Sequence, residues 1–193
     1  TKFISDLVSC ALFSLDRKIF KYLENLKKTE RGEFELTDAI KELSRSENIR
    51  CIKSAYCHQI SFPWDLLAAD QELRKGKSII GKNSKISQKI KNSTIGNNCI
   101  INASIKNSII MDNTIIEKDS IIEHSIIGEH VHFQGKIISK NNAYSTVKNK
   151  KIKVTALGAI IGDNAVIKHA VIKPGSKIWP NKNLRGKIEH DIY

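Results

Sequence analysis

From Ser78 onward isoleucine returns at steps built mostly of sixes and fives: Ile80, Ile95, Ile110, Ile116, Ile127, Ile161, Ile167, Ile172 and Ile178. A polar turn tends to follow each, with a small residue four places on, as at Ser84, Cys99, Thr114, Ser120, Val131, Ala165 and Ser176. Repetition at a fixed short period narrows the available folds more than any composition does. An amphipathic helix is excluded by the density of β-branched residues and by Asn and Ser at the corners. An ordinary set of sandwich strands does not account for the phrase Ile-Gly-x-Asn, which recurs at Ile80, Ile95 and Ile161. The spacing predicts a mainly β structure, a parallel β-helix whose coils stack about 4.8 Å apart. Isoleucine would fill the prism, small side chains would occupy the inner corners, and the repeats would be stable only as a stack. This domain is assigned to 77–193. Its hexads lapse at about 139–155, where Asn141, Asn142, Ser145, Asn149 and the lysines from Lys148 to Lys153 predict a polar loop leaving one corner.

Residues 1–76 follow a different pattern. Ile19, Phe20, Leu23 and Leu26 fall on one face of a helix starting near Asp16 and ending at Lys27 and Lys28, where cations suit the dipole. A second helix is expected from about Thr37 with Ala39, Ile40 and Leu43 inward, then a strand through Cys51 and Ile52. Pro63 opens a third helix, Trp64 to about Arg74. This is α/β punctuation with too few strands for a closed sheet. With Thr1 rather than Met at the start, it is expected to be the tail of a larger domain.

The net charge of +12 raises nucleic-acid binding, but the lysines are dispersed and only 6% of residues are aromatic, few for base stacking. A solvated Lys-rich surface, attractive to phosphorylated small molecules, is the favoured reading. Hydrophobic residues make up 40% of the chain, yet no apolar run approaches the roughly 20 residues of a membrane helix and no charged-then-apolar stretch resembles a signal peptide. A cytoplasmic protein without a membrane partner is expected. Cys10, Cys51, Cys57 and Cys99 suit neither a metal knuckle nor a disulfide framework and read as reduced thiols.

Two stretches carry a family resemblance. Arg31-Gly32-Glu33-Phe34-Glu35-Leu36-Thr37-Asp38-Ala39-Ile40 resembles a segment near the end of the catalytic domain of sugar-1-phosphate nucleotidylyltransferases, and Phe62-Pro63-Trp64-Asp65-Leu66-Leu67 resembles the opening of that domain's exit helix. Followed by hexapeptide repeats, this order resembles the archaeal bifunctional nucleotidylyltransferase/acetyltransferases. The resemblance implies that the β-helix is left-handed and that 1–76 is the C-terminal remnant of an α/β nucleotidyltransferase domain. It implies Mg for nucleotidyl transfer by the full-length protein and acetyl-CoA for acetyl transfer, with no cofactor in this stretch alone. A sugar phosphate or nucleotide sugar is the implied small-molecule partner.

At the substrate-binding positions that the resemblance assigns, the family's Asn-Ala-Gly reads Ser9-Cys10-Ala11, and its metal-holding aspartate falls on Gln59. An amide has no charge to give a divalent ion, so metal affinity there should fall. In the repeats the family's general-base histidine falls on Lys118 and its tyrosine on Ile121. A protonated lysine does not accept a proton near neutral pH unless its pKa is strongly lowered. The family's later loop asparagine is retained as Asn141, while its basic return reads Val154-Thr155-Ala156-Leu157-Gly158. His124, His130, His132 and His169 remain nearby; they read either as a shifted base or intersubunit metal site, with His124 and His130 the catalytic candidates beside Asn141, or as exposed turn residues. The leading expectation is a homotrimerising part of a nucleotidyltransferase-like protein, degenerate at both sites. The alternatives are an active full-length nucleotidylyltransferase, a CoA-dependent acetyltransferase with a shifted histidine and, behind both, a basic nucleic-acid binder. Trp179 and Pro180 are expected near the last coil, capping the stack or packing a neighbour.

Overall fold

The computed structural model describes residues 6–193, so the first five residues of the expected N-terminal domain lie outside the described residues. The chain packs as two compact units, one up to Gln59 and the other Ile60–Tyr193.

In the first unit α1 (Ile19–Leu23) and α2 (Leu36–Leu43) close on a small core of Ile19, Ala39 and Leu43, flanked by Tyr22, Leu23, Leu26 and Ile40. Phe20, expected inward, is exposed, and α1 ends well before Lys27. A five-residue helix presents one turn to its partner, and Ile19 alone fills that contact. The strand expected through Cys51 and Ile52 is absent: 48–61 is exposed and has neither helix nor strand. Both residues lack a neighbouring strand to pair with among the described residues of this unit, and an unpaired strand has nowhere to place its backbone hydrogen bonds.

The second unit is a left-handed parallel β-helix. Each coil contributes one inward residue to each of three columns. The first column runs Ile80, Ile95, Ile110, Ile127, Ile161, Ile178. The second runs Ile86, Ile101, Ile116, Phe133, Ile167, Leu184. The third runs Ile90, Ile105, Ile122, Ile137, Ile172, Ile188. These columns form one continuous apolar core. Its end is open at the first coil, where Ile79 and Ile80 are each 49% exposed.

The corners obey a second set of rules. The small residues Cys99, Thr114, Ser120, Val131, Ala165 and Ser176 are buried, as their spacing requires. A serine ladder runs alongside: Ser93 Oγ accepts from the backbone N–H of Ser108 at 3.1 Å, Ser108 Oγ from Ser125 at 3.1 Å, and Ser125 Oγ from Ala159 at 3.0 Å. Each of these hydroxyls also donates to the carbonyl two residues before it, so a fully buried polar column is satisfied coil by coil.

The stretch expected as a polar loop is a two-stranded antiparallel hairpin, Lys140–Val147 paired with Lys150–Leu157. Its inward residues Ala143, Val154 and Leu157 pack on Trp64, with Phe62, Leu67, Ile152 and Ile160 around them. The lysines and asparagines that suggested a loop alternate with these apolar positions and face outward. The third helix, α3 (Asp65–Arg74), belongs to this unit. Pro63 and Trp64 precede it, and Asp65 Oδ2 accepts from the N–H groups of Ser61 and Phe62 at 2.8 Å each. At its other end the buried Arg74 donates to Asp70 at 2.6 Å and to the Lys77 carbonyl at 2.7 Å, and Asp70 in turn accepts from Thr94 on the second coil. The helix and the hairpin thus cover part of the first face. No helix among the described residues is long and apolar enough to cross a membrane.

Candidate functional site

Each coil turns its corners through residues in the left-handed region. One corner is built by Asn83, Asn98, Asn113, His130, Asn164 and Asn181, with φ from +54° to +61°. Asparagine and histidine are over-represented in this conformation because β-branched and bulkier residues clash there. The side chains stack as well as the backbone: Asn83 donates to Asn98 and Asn98 to Asn113, each at 3.3 Å. His130 is the next member of this ladder and is exposed.

A second corner is built by Asn92, Asn107 and His124, with φ of +47°, +49° and +43°. His124 Nε2 lies 3.0 Å from Asn107 Nδ2 and its Nδ1 lies 3.0 Å from Ser139 Oγ. Both ring nitrogens are therefore held, one by the asparagine of the coil before and one by the serine of the coil after. Burial holds the imidazole below its ordinary pKa; Lys106 adds to this and Glu123 opposes it. Both candidate catalytic histidines thus stand where the preceding coils have asparagine. His169, with φ +51°, is also a corner residue. His169 sits within the strand Val166–Ile172, and His132 also lies on a strand, with Nε2 2.8 Å from Glu117 Oε1.

Lys118 is exposed beside the left-handed corner residue Asp119, and Ile121 begins a strand of the third face. Asn141 is exposed on the first hairpin strand opposite Ala156. Ser139, two residues before it, bonds His124, but Asn141 itself joins no hydrogen bond to either histidine.

In the first unit the segments Ser9-Cys10-Ala11 and Cys57-His58-Gln59 meet at their two cysteines. The thiols of Cys10 and Cys57 share a hydrogen bond, which pushes the Cys57 thiol up in pKa. Ser9 Oγ accepts from the Ala11 N–H at 3.1 Å, and Ala11 has φ +55°. Ser9, Ala11 and Gln59 are all exposed. These groups do not fit a divalent ion: the oxygens available are a hydroxyl and a neutral amide, and no group of three His, Cys, Asp or Glu side chains is gathered among the described residues.

Sequence reasoning missed the serine ladder and a turn ladder in the Gly-x-Asn phrase. The middle residue of one coil uses its side chain to accept from the backbone of the coil before, as Asn97 does for Lys82 and Asp112 for Asn97, both at 2.8 Å. Asn97 holds the Asp112 carboxyl below its usual range, through its side chain first and its backbone second. The signal was present as three aligned Ile-Gly-x-Asn phrases whose middle residue is polar each time.

Residues 74–192 match the family described as the GMPPB C-terminal domain. The bifunctional protein GlmU of Methanococcus aeolicus is 46% identical over 85 residues, 41% of this chain and 21% of that protein. The protein of the same description from Methanocaldococcus jannaschii is 43% identical over 70 residues, 36% of this chain and 17% of its own length. The bifunctional sugar-1-phosphate nucleotidylyltransferase/acetyltransferase of Sulfurisphaera tokodaii is 34% identical over 64 residues, 33% of this chain and 16% of that protein. The chain spans no more than about 21% of the length of these curated relatives. Since the matched stretch takes in more than half of its residues, the chain belongs to the GMPPB C-terminal domain family.

Proposed function

We propose that this chain is the trimerising C-terminal part of a cytoplasmic sugar-phosphate nucleotidyltransferase-like protein and that it catalyses neither nucleotidyl nor acetyl transfer. The observation that carries this reading is the placement of the histidines. His124 and His130 occupy left-handed corner positions filled by asparagine in earlier coils, and both ring nitrogens of His124 are already bonded. A general base needs a free lone pair within reach of its substrate. At the position where the resemblance puts that base, Lys118 stands in place of an imidazole. Gln59 removes the charge a metal would need at the other site.

Trimer formation is supported by apolar side chains left exposed on the second unit. Ile100, Ile138 and Val171 are all exposed, and side-by-side packing of prisms would cover them. Two measurements test the reading. Light scattering at micromolar concentration should give three times the chain mass; a monomer overturns the assembly half. Incubation with acetyl-CoA and an amino-hexose 1-phosphate should release no thiol above the blank. Release that disappears in His124→Ala but survives in Lys118→Ala overturns the other half.

A further inference from the structure

A cavity of about 860 Å³ opens between the hairpin and the last coils of the prism. Its construction begins with Gly175. This residue has φ +89°, and a Cβ there would collide with the Tyr144 carbonyl, so only glycine lets the hairpin come this close to the coil. The contact is locked by Lys177, which is 7% exposed. Its Nζ lies 3.0 Å from Asp191 Oδ2 and also donates to the Thr146 carbonyl, while its backbone N–H donates to Asp191 Oδ1 at 2.8 Å. The segment around Asp191 is also held to the coil through its backbone: the Trp179 N–H donates to the Ile192 carbonyl and the Ile192 N–H to the Lys177 carbonyl, each at 2.9 Å.

The charge around this cavity does not balance. Lys140 and Lys151 from the two hairpin strands and Lys173 from the coil line it, and none of the three forms an ion pair among the described residues. The two carboxylates in the lining are committed elsewhere: Asp191 to Lys177, and Glu189 to Lys187 at 2.7 Å. Glu189 is held below its usual pKa chiefly by Lys187, with a smaller effect from Lys173. Three lysines from three elements therefore line one concavity, and the carboxylates beside them are ion-paired to other lysines. Unpaired charges of one sign in a concave site concentrate the field and favour a ligand of opposite sign.

Two tyrosines stand among the other lining residues. Tyr144 is 57% exposed and Tyr193 is 70% exposed, and the Tyr193 ring is steadied by Trp179 at 4.5 Å between centroids. Exposed rings beside unpaired lysines suit a ligand with a flat heterocycle at one end and phosphates at the other. The volume lies in the range of roughly 300–1,000 Å³ typical of small-molecule sites.

We propose that this cavity binds a nucleoside diphosphate, its phosphates against Lys140, Lys151 and Lys173 and its base against Tyr144 and Tyr193. The proposal goes beyond the inert-trimer reading and stands or falls separately, because it is read by equilibrium binding and needs neither turnover nor a stated oligomer. Calorimetry on the full 193-residue chain with UDP, GDP and inorganic pyrophosphate tests it. At least one nucleotide should bind with Kd below about 1 mM, a modest −4 kcal/mol, and more weakly as salt rises. Pyrophosphate should bind about tenfold more weakly than that nucleotide. The triple variant Lys140→Gln, Lys151→Gln, Lys173→Gln should weaken the nucleotide by at least about tenfold with unchanged circular dichroism. Tyr144→Ala should weaken the nucleotide and leave pyrophosphate as it was. No binding of either nucleotide at millimolar concentration overturns the proposal, as does undiminished binding to the triple variant. Pyrophosphate binding as tightly as the nucleotides would mean a phosphate site without a base subsite, and also overturns it.

Discussion

His124 shows how one residue type serves two unrelated ends. In a sequence, an imidazole near the position where a family resemblance puts a general base invites a chemical role. In the structure the same side chain holds a left-handed corner and bridges Asn107 to Ser139. Both readings use properties real to histidine, and only backbone dihedrals separate them, which is why the residue list alone left them open. The asparagine at the equivalent corner of the previous coil predicts the outcome of exchange. His124→Asn should fold with a stability close to that of the parent at pH 7.5, whereas His124→Val should cost about 1–3 kcal/mol because a β-branched residue is strained at positive φ. The pH dependence follows from the lowered pKa of the imidazole. As pH falls below its ordinary value of 6.5, the unfolded chain takes up the proton before the folded one. The contribution of the neutral ring is complete above about that pH and is lost as pH drops toward the folded value. Urea midpoints measured from pH 7.5 to 5 should therefore fall less steeply in His124→Asn than in the parent. An identical slope would remove His124 as a source of acid sensitivity.

At the scale of elements, the coils were legible and the hairpin was not. Inward isoleucine repeats so regularly that the three columns follow almost from spacing, because a stack allows one inward position per face per coil. The hairpin follows a different period. Ala143 and Ser145 on one strand, and Ile152 and Val154 on the other, alternate with lysine, threonine and asparagine, and the alternation is short enough to pass for a polar loop. What fixes it in place lies outside the stretch: Trp64 ahead of α3 and Gly175 on the coil below. No local signal links either residue to the hairpin. Trp64→Ala should cost about 3–5 kcal/mol, the usual result of emptying a buried aromatic site, measured by urea unfolding of the β-sheet signal. Gly175→Ala acts on a smaller unit. It combines a collision with the Tyr144 carbonyl and a positive φ, so amide exchange should accelerate across 140–157 while the interior coils stay protected. Uniform loss of protection would instead show that the hairpin and the prism unfold as one cooperative element.

The whole molecule joins two units of unequal strength. The prism carries a continuous core of inward isoleucines, and its backbone donors are used coil to coil, from Ile79 donating to Ser93 through Val166 donating to Lys182. Among its described residues the first unit has three buried apolar residues in its core and two helices of 5 and 8 residues. Helices this short draw little stability from propensity, and a core of that size supplies a small fraction of what a domain needs. After α2, residues 44–61 are exposed and form no helix or strand, and they contain Arg45, Arg50 and Lys53. Proteases cut where the backbone opens locally, so exposure of this kind sets the order of cleavage. Limited trypsin digestion should cut first at these three residues, although lysines are far more numerous in the prism. In the coils each peptide bond is fixed by the coils on either side, and opening one means breaking a stack. The first stable product should begin after one of the three sites and retain residues 62–193, and it should elute from a sizing column as the same oligomer as the parent. The helical fragment should disappear as fast as it is released. Early cuts inside 78–138 would show that the stacked coils open more readily than their hydrogen bonding implies, and that the first unit contributes to holding them closed.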